Sequence, residues 1–355
     1  MNRHHIVPPV LALALAFASF AQEKPAEQIY KNIQVFQGLP SSQLLSAMSF
    51  MAASLGVSCP HCHVPNQFEK DDKQPKQTAR RMIRMMHSIN QENFGGKREV
   101  NCYTCHRGQL QPASIPAIPQ RPAQAPVAKP AAAKSSDPLP TVDQALEKYL
   151  QALGGKAAVA KLTTRLRKGF LEAGGMRIPL ETYEKAPNRS LMIGQFPNGK
   201  AYRGFDGASG WEQNPGQPPR EATGESLARL KDDAEFYHGL RLKELYKALA
   251  VKGRDKVGER EVIVIEATGD SGGIEKIYFD AETGLLLRKL EMHESPLGSL
   301  PLESDFADYR EVDGVRLPFA VRQSRPDVSL TTRFDETQHN VSIDETKFSK
   351  PAPPR

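Results

Sequence analysis

Apolar residues recur at helical spacing in the first third of the chain and alternate with polar ones over much of the rest. From position 43 onward, Leu44, Met48, Met51 and Leu55 fall at steps of four, three and four, which marks one face of a helix. Ser41 and Ser42 precede it as capping hydroxyls, and Gly56 stops it. Residues 78–93 repeat the pattern, with Met82, Met85, Met86 and Ile89 on an apolar face, Arg80, Arg81 and Arg84 off it, and Gly95-Gly96 at the end. A third amphipathic helix is predicted over 141–153 (Val142, Leu146, Tyr149, Leu150, Leu153), ended by Gly154-Gly155, and a short one over 156–162. Alternating runs follow at 165–172, 177–185, 190–196 and 200–205, then a helical stretch near 225–248, then strand-like runs at 261–267, 275–279, 285–293, 304–310, 315–323 and 330–334. Turn residues at 280–284 and at Asp313-Gly314 separate the strands. The expected architecture is two domains: a mainly α N-terminal domain and an α+β C-terminal domain built on a large antiparallel sheet.

Composition places the boundary. Eight prolines between Gly108 and Pro140 lie among Ala, Gln, Ser and Lys, and no apolar period survives there. Residues 111–140 therefore read as an extended Pro/Ala-rich linker with polyproline II character. It separates an N-terminal domain, 22–110, from a C-terminal one, 141–350. Residues 1–21 read as a cleavable signal peptide: Arg3, His4 and His5, an apolar run from Val10 to Phe20, and Ser19-Phe20-Ala21 at the cleavage site. No cysteine follows the signal run to carry a lipid, so the expected compartment is the periplasm. The formal net charge of +6 is concentrated early. Residues 22–110 hold eleven Lys/Arg against seven Asp/Glu, while the C-terminal domain is close to neutral. With no aromatic-interleaved basic stripe, this excess does not indicate nucleic-acid binding.

All four cysteines lie in two motifs, Cys59-Pro60-His61-Cys62-His63 and Cys102-Tyr103-Thr104-Cys105-His106. Each is C-x-x-C-H, the attachment signature of a c-type haem. A two-residue gap brings both sulfurs to one porphyrin edge for thioether bonds, and the adjoining histidine needs no further chain to reach the iron. The expected cofactors are two covalently bound haem c groups, with iron held by His63 and His106. Paired Cys-x-x-Cys motifs also build zinc sites, disulfides and redox centres. Zinc gives no reason for a histidine after each second cysteine, and an exported compartment favours disulfides over four reduced thiols. A methionine is the common second axial ligand and raises the potential. Met48 and Met51 are both placed for the first haem. Met82, Met85, Met86 and His87 are placed for the second, and each methionine has ordinary core packing as its alternative.

The segments around Tyr30–Pro40, Met48-Ser-Phe-Met51, Leu55-Gly-Val-Ser-Cys59, Thr78-Ala-Arg-Arg-Met82-Ile-Arg-Met85, Asn93-Phe-Gly-Gly96 and Cys102–Gly108 resemble the photosynthetic reaction centre cytochrome c subunit family over about residues 27–110. The resemblance implies a helix–turn–attachment unit for each haem, with the methionine on the preceding helix. It assigns Met48 as partner of His63 and Met82 as partner of His106. Full-length members carry four haems, often with an N-terminal lipid anchor; this chain has two motifs. The family's additional histidine before one attachment motif has no counterpart in the short loop 93–97.

In the C-terminal domain, Tyr278-Phe-Asp280, Thr283–Arg288 and Asp308–Pro318 resemble periplasmic lipoprotein-sorting carriers, which implies a half-open barrel holding acyl chains. No nucleophile–base set stands out there, and Trp211, His238 and His293 read as isolated structural residues. The expected function is therefore a periplasmic di-haem electron carrier rather than an enzyme. Its expected partner is a membrane reaction centre or another periplasmic or membrane oxidoreductase. The rival expectations are a di-haem peroxidase and a hydrophobic-ligand-binding protein with redox-sensing haems. Arg107 is placed to pair with a haem propionate.

Overall fold

The computed structural model describes residues 23–112, 138–269 and 272–351, so the expected signal peptide and most of the expected linker lie outside the described residues. The N-terminal part is helical. A short α1 (Ala26–Ile29) and a 3-10 turn (Ser41–Gln43) lead into α2 (Leu44–Leu55). Then come α3 (Cys59–Cys62), the long α4 (Gln74–Phe94) and α5 (Cys102–His106). The prolines, caps and glycines act as their chemistry dictates. Gly56 ends α2 at φ +66° and Gly95 ends α4 at φ +58°, conformations that cost a residue with a Cβ.

Beyond the linker, α6 (Val142–Ala152) begins with a reciprocal capping box between Thr141 and Gln144, and α7 (Lys156–Ala160) follows. Strands β1 (Thr164–Ala173), β2 (Met176–Lys185), β3 (Arg189–Phe196), β4 (Gly199–Phe205), β5 (Gly210–Gln213) and β6 (Arg220–Glu221) run out as a meander. Helices α8 (Gly224–Ala234) and α9 (His238–Leu245) carry the chain to the opposite edge of the sheet. There β7 (Ala248–Val257), β8 (Arg260–Thr268), β9 (Ile274–Asp280), β10 (Leu286–Ser295), β11 (Gly298–Val312), β12 (Val315–Arg325) and β13 (Val328–His339) meander back. Pairing of β13 with β1 joins both meanders into one 13-stranded antiparallel sheet, open at β6 and β7.

Three strands escape the alternation pattern. β5 and β6 are too short to show a period. β7 carries Lys252, Arg254, Asp255 and Lys256, and its register shifts between Val251 and Gly253. An edge strand pairs on one side only, so charges and a bulge are tolerated there. The single helical stretch expected near 225–248 is two helices, and its last residue, Ala248, opens β7.

The main core lies where α6 and α9 cover one face of β8 and β9. Leu146, Tyr149 and Leu242 meet Ile263, Ile265, Ile277 and Phe279, while Val262, Val264 and Tyr278 pack on the opposite face. The helical part has its own core of Ala26, Phe36, Leu44, Ala47, Phe50, Ile83 and Met86, and the β10–β11 hairpin contributes Leu297 and Leu300 to it. Contact is close: a Cβ on Gly298 would meet the Phe50 ring at 2.4 Å. Arg98 donates to the Ser295 carbonyl at 2.8 Å, and Arg220 to the Tyr30 hydroxyl at 3.0 Å. Two expectations about helix faces need correction. The buried stripe of α2 runs through Leu44, Ala47, Phe50 and Ser54, with Met48 and Met51 at its margin. On α4 the buried residues are Lys76, Arg80, Ile83, Met86 and Asn90. Arg80 is thus inside rather than off the packed face, because it has polar partners there.

Leu297 is 2% exposed within a core otherwise made by the helical part. Leu297→Ala should cost about 2–5 kcal/mol of stability. Amide hydrogen exchange should speed up in α2 and α4 and remain unchanged in β1–β6; an equal change in both would contradict the shared core.

Candidate haem centres

Each C-x-x-C-H motif folds as a single helical turn. In α3 the Cys59–Cys62 spacing puts both sulfurs on one side of the turn, and the His63 amide closes it by donating to the Cys59 carbonyl at 3.0 Å. In α5, Asn101 and Thr104 cap the start reciprocally, each backbone amide donating to the other's side-chain oxygen at 3.1 Å. Arg107 then adopts φ +50°, which turns the chain out of the helix directly after His106.

Both histidines are oriented in the same way. His63 Nδ1 donates to the Phe68 carbonyl at 2.9 Å, and His106 Nδ1 to the Gln109 carbonyl at 3.1 Å. A carbonyl accepts only from a protonated nitrogen, so each ring carries its proton on Nδ1 and presents a lone pair at Nε2. This is the arrangement a metal-ligating imidazole requires. Burial holds the His63 pKa below its ordinary value despite the hydrogen bond to Phe68, and the Lys76, Arg80 and Lys73 charges add to the effect. Burial raises the thiol pKa of Cys62 and of Cys102.

Polar groups on α4 fix the chain around both motifs. The Lys76 ammonium, 8% exposed, donates to the carbonyls of Phe68, Glu69 and Lys70 at 2.8, 3.0 and 2.8 Å. Arg80 bonds Asp71 at 2.9 Å and the Asn32 carbonyl at 3.1 Å. Arg80, Asn32 and Lys76 together hold the Asp71 carboxyl well below the usual carboxylate range. At the other end of α4, buried Asn90 bonds both backbone groups of Val100, at 2.7 and 3.0 Å, and so fixes the segment entering the second motif. The end of α2 also meets the turn after the second motif. Gly108 donates its amide to the Ser54 carbonyl at 2.8 Å, and a Cβ on Gly56 would lie 2.2 Å from the Gly108 carbonyl oxygen.

Met48 and Met51 are both partly buried against the helical core, where Cys102 also packs. Met82 and Met85 are exposed, at 41% and 49%, whereas Met86 is buried beside Ile83. His87 lies on the exposed side of α4, at a cleft of about 410 Å³ shared with Met86, Arg98 and Leu297. Among the described residues, no group of three or more His, Cys, Asp or Glu side chains is gathered to hold a metal ion, so the four cysteines do not form one zinc-type cluster. The donor set at a C-x-x-C-H motif instead fits a haem: two thiols on one turn, an imidazole with Nε2 presented, and exposed apolar side chains in or beside the motifs, such as Phe68, Tyr103 and Leu110.

Residues 9–152 match the family model of the photosynthetic reaction centre cytochrome C subunit. The reaction centre cytochrome c subunit of Roseobacter denitrificans is 35% identical over 103 residues, which cover 26% of this chain and 28% of that protein. Cytochrome c-554 of Chloroflexus aurantiacus is 37% identical over 82 residues, 21% of this chain and 20% of that one. The chain thus spans about a quarter of the length of the curated relatives it matches. The similarity is to c-type cytochromes and is confined to the part of the chain that holds both C-x-x-C-H motifs. The sheet has distant likenesses at 59% coverage of this chain. One is a DUF1329 family protein from Desulfovibrio piger (15% identity, TM-score 0.44, 97% of that chain) and another a LolA superfamily protein from Nitrosomonas europaea (12%, 0.43, 98%). At these scores they carry no functional weight. No helix among the described residues is long and apolar enough to cross a membrane.

In the C-terminal part, Trp211 is structural as expected: it is buried and its indole donates to the Phe348 carbonyl at 2.9 Å. His293 is not isolated. Its Nδ1 lies 2.9 Å from Glu225 and 3.1 Å from Arg229, and its Nε2 lies 3.4 Å from Glu291. Glu291 in turn pairs with Lys289 at 2.9 Å, and Lys289 with Glu275 at 3.1 Å. The hydrogen bond to Glu225 and the nearby Glu291 carboxylate raise the His293 pKa above its ordinary value. Burial lowers that of His238 to about 4 and also lowers that of His339.

A raised histidine pKa contributes stability that is complete below pH 6.5 and is lost as pH rises through the folded value. His238 and His339 act oppositely, losing their contribution as pH falls. The stability difference between wild type and His293→Gln therefore isolates one group. It should be largest below pH 6.5 and shrink towards alkaline pH in denaturant titrations; a pH-independent difference would contradict the ion-paired assignment.

Proposed function

We propose that the chain is a periplasmic electron carrier holding two c-type haems, one at Cys59, Cys62 and His63 and one at Cys102, Cys105 and His106. The carrying observation is that both histidines fix Nδ1 on a backbone carbonyl and leave Nε2 as an oriented donor. When bound, haem supplies one-electron exchange at its iron. The chain supplies orientation, axial ligation and burial, which tune the potential. Met48 and Met82 are the proposed second axial ligands, from the resemblance to the reaction centre cytochrome subunits. Exposure of Met82 in the structure is compatible with this role, whereas Met86 faces the protein core.

The domain limits 22–110 and 141–350, the linker between them and the cleaved leader belong to the same proposal. The basic excess of residues 22–110 favours a redox partner with an acidic face, such as a membrane-bound oxidoreductase. Arg107, exposed beside His106, is available for a propionate. The charged group Lys289–Glu291–His293–Glu225 gives the C-terminal sheet one polar patch.

Met48→Ala and Met82→Ala should each convert one haem, and only one, to a high-spin or water-ligated form with a lower potential, because a thioether favours ferrous iron. Met51→Ala and Met85→Ala should leave both haems low-spin. Optical redox titration of the four proteins separates the cases. A spin change in the Met51 or Met85 variant would move the ligand by one helical turn, and a high-spin wild-type haem reacting with peroxide would replace the carrier by a peroxidase.

A further inference from the structure

The two histidines share a type of acceptor but not its surroundings. The Phe68 carbonyl oxygen accepts from two donors, His63 Nδ1 at 2.9 Å and the Lys76 ammonium at 2.8 Å. Lys76 is held there by two further carbonyls and by Asp71 at 3.0 Å, and it is 8% exposed, so its charge is poorly screened. The Gln109 carbonyl, which orients His106, accepts from no side chain but that histidine among the described residues.

This asymmetry has an electronic consequence. A carbonyl oxygen has two lone pairs, and an ammonium bonded to one draws density from the other. The Phe68 carbonyl is therefore a weaker acceptor for the His63 N–H than a carbonyl bonded to that histidine alone. Ligand basicity rises with the strength of the hydrogen bond at the remote ring nitrogen. His63 is thus the less basic imidazole and supports the more highly charged ferric state less well. The Lys76 charge itself acts in the same direction, since a nearby cation opposes an increase of positive charge at the iron. Lys73 and Arg80 also bear on His63, and Asp71 offsets Arg80 and Lys76.

We infer that Lys76 is a positioning residue that makes the haem at His63 the higher-potential one of the pair, by sharing the carbonyl that orients its proximal histidine. Electrons would then rest preferentially on the first haem. This inference depends on the two-haem function proposed above.

The test is a redox titration of the full holoprotein and three variants. Wild type should show two one-electron transitions. In Lys76→Gln the upper one should fall, with the reduced-to-oxidised ratio of that haem dropping about tenfold at fixed poise, equivalent to about 59 mV. The lower transition should stay in place. Lys76→Arg, which keeps the cation, should restore the upper transition. Asp71→Asn removes the offsetting carboxylate and should shift the upper transition the opposite way, upward, which keeps the inference testable if Lys76→Gln does not fold. Movement of the lower transition, equal movement of both, or no movement in either Lys76→Gln or Asp71→Asn would overturn it. Haem mapped by mass spectrometry to the peptide holding Cys59 and Cys62 separates the two levels. Its absence from the wild type contradicts the two-haem function, whereas its presence with unmoved potentials overturns the role of Lys76 alone.

Discussion

The N-terminal module depends on the polar stripe of α4. Loops that present haem-binding motifs expose carbonyls and amides that regular structure does not satisfy, and such groups are costly to bury unpaired. Lys76 satisfies carbonyls of the loop after the first motif, Arg80 pairs with Asp71 of that loop and with the Asn32 carbonyl, and Asn90 satisfies Val100 just before the second motif. One rigid helix thus fixes the chain on both sides of the region where two imidazoles must be aimed. The Ser54–Gly108 hydrogen bond then ties the end of α2 to the turn after the second motif, where only a glycine at position 56 leaves room.

The sheet is structurally part of this arrangement. Leu297 and Leu300 complete a core that the helical part does not close alone, and the Gly298–Phe50 approach leaves no space for a side chain between them. A short helical module gains burial from such a neighbour, because small domains bury too little of their own surface. The hairpin therefore bears on the same helices, α2 and α4, that carry the proposed methionine ligands.

Much of this was legible in the sequence for specific reasons. Both C-x-x-C-H motifs announce their chemistry by spacing alone, and strands such as β2 and β12 alternate because they pair on both sides and have one covered face, whereas β8 reads as a continuous apolar run because both of its faces are covered. The stripe on α4 is hard to read from sequence because charged residues ordinarily face solvent. The spacing 76, 80, 83, 86, 90 was present, but the carbonyls that receive Lys76 lie in an irregular loop without a pattern. The His293 cluster also had a signal: Lys289, Glu291 and His293 alternate along one face of β10. Their partner Glu225 comes from α8, a pairing set by tertiary structure alone. β7 was hidden because an edge strand need not be apolar.

The central claim is that each C-x-x-C-H motif holds its own haem. The intact mass of the protein purified from an exporting, haem-attaching host, with an iron-to-protein ratio on the same sample, addresses it directly. Two haem additions, lost one at a time in Cys62→Ser and Cys105→Ser, are expected. A protein without covalent haem, or with its four cysteines paired as disulfides under the same conditions, would contradict the claim.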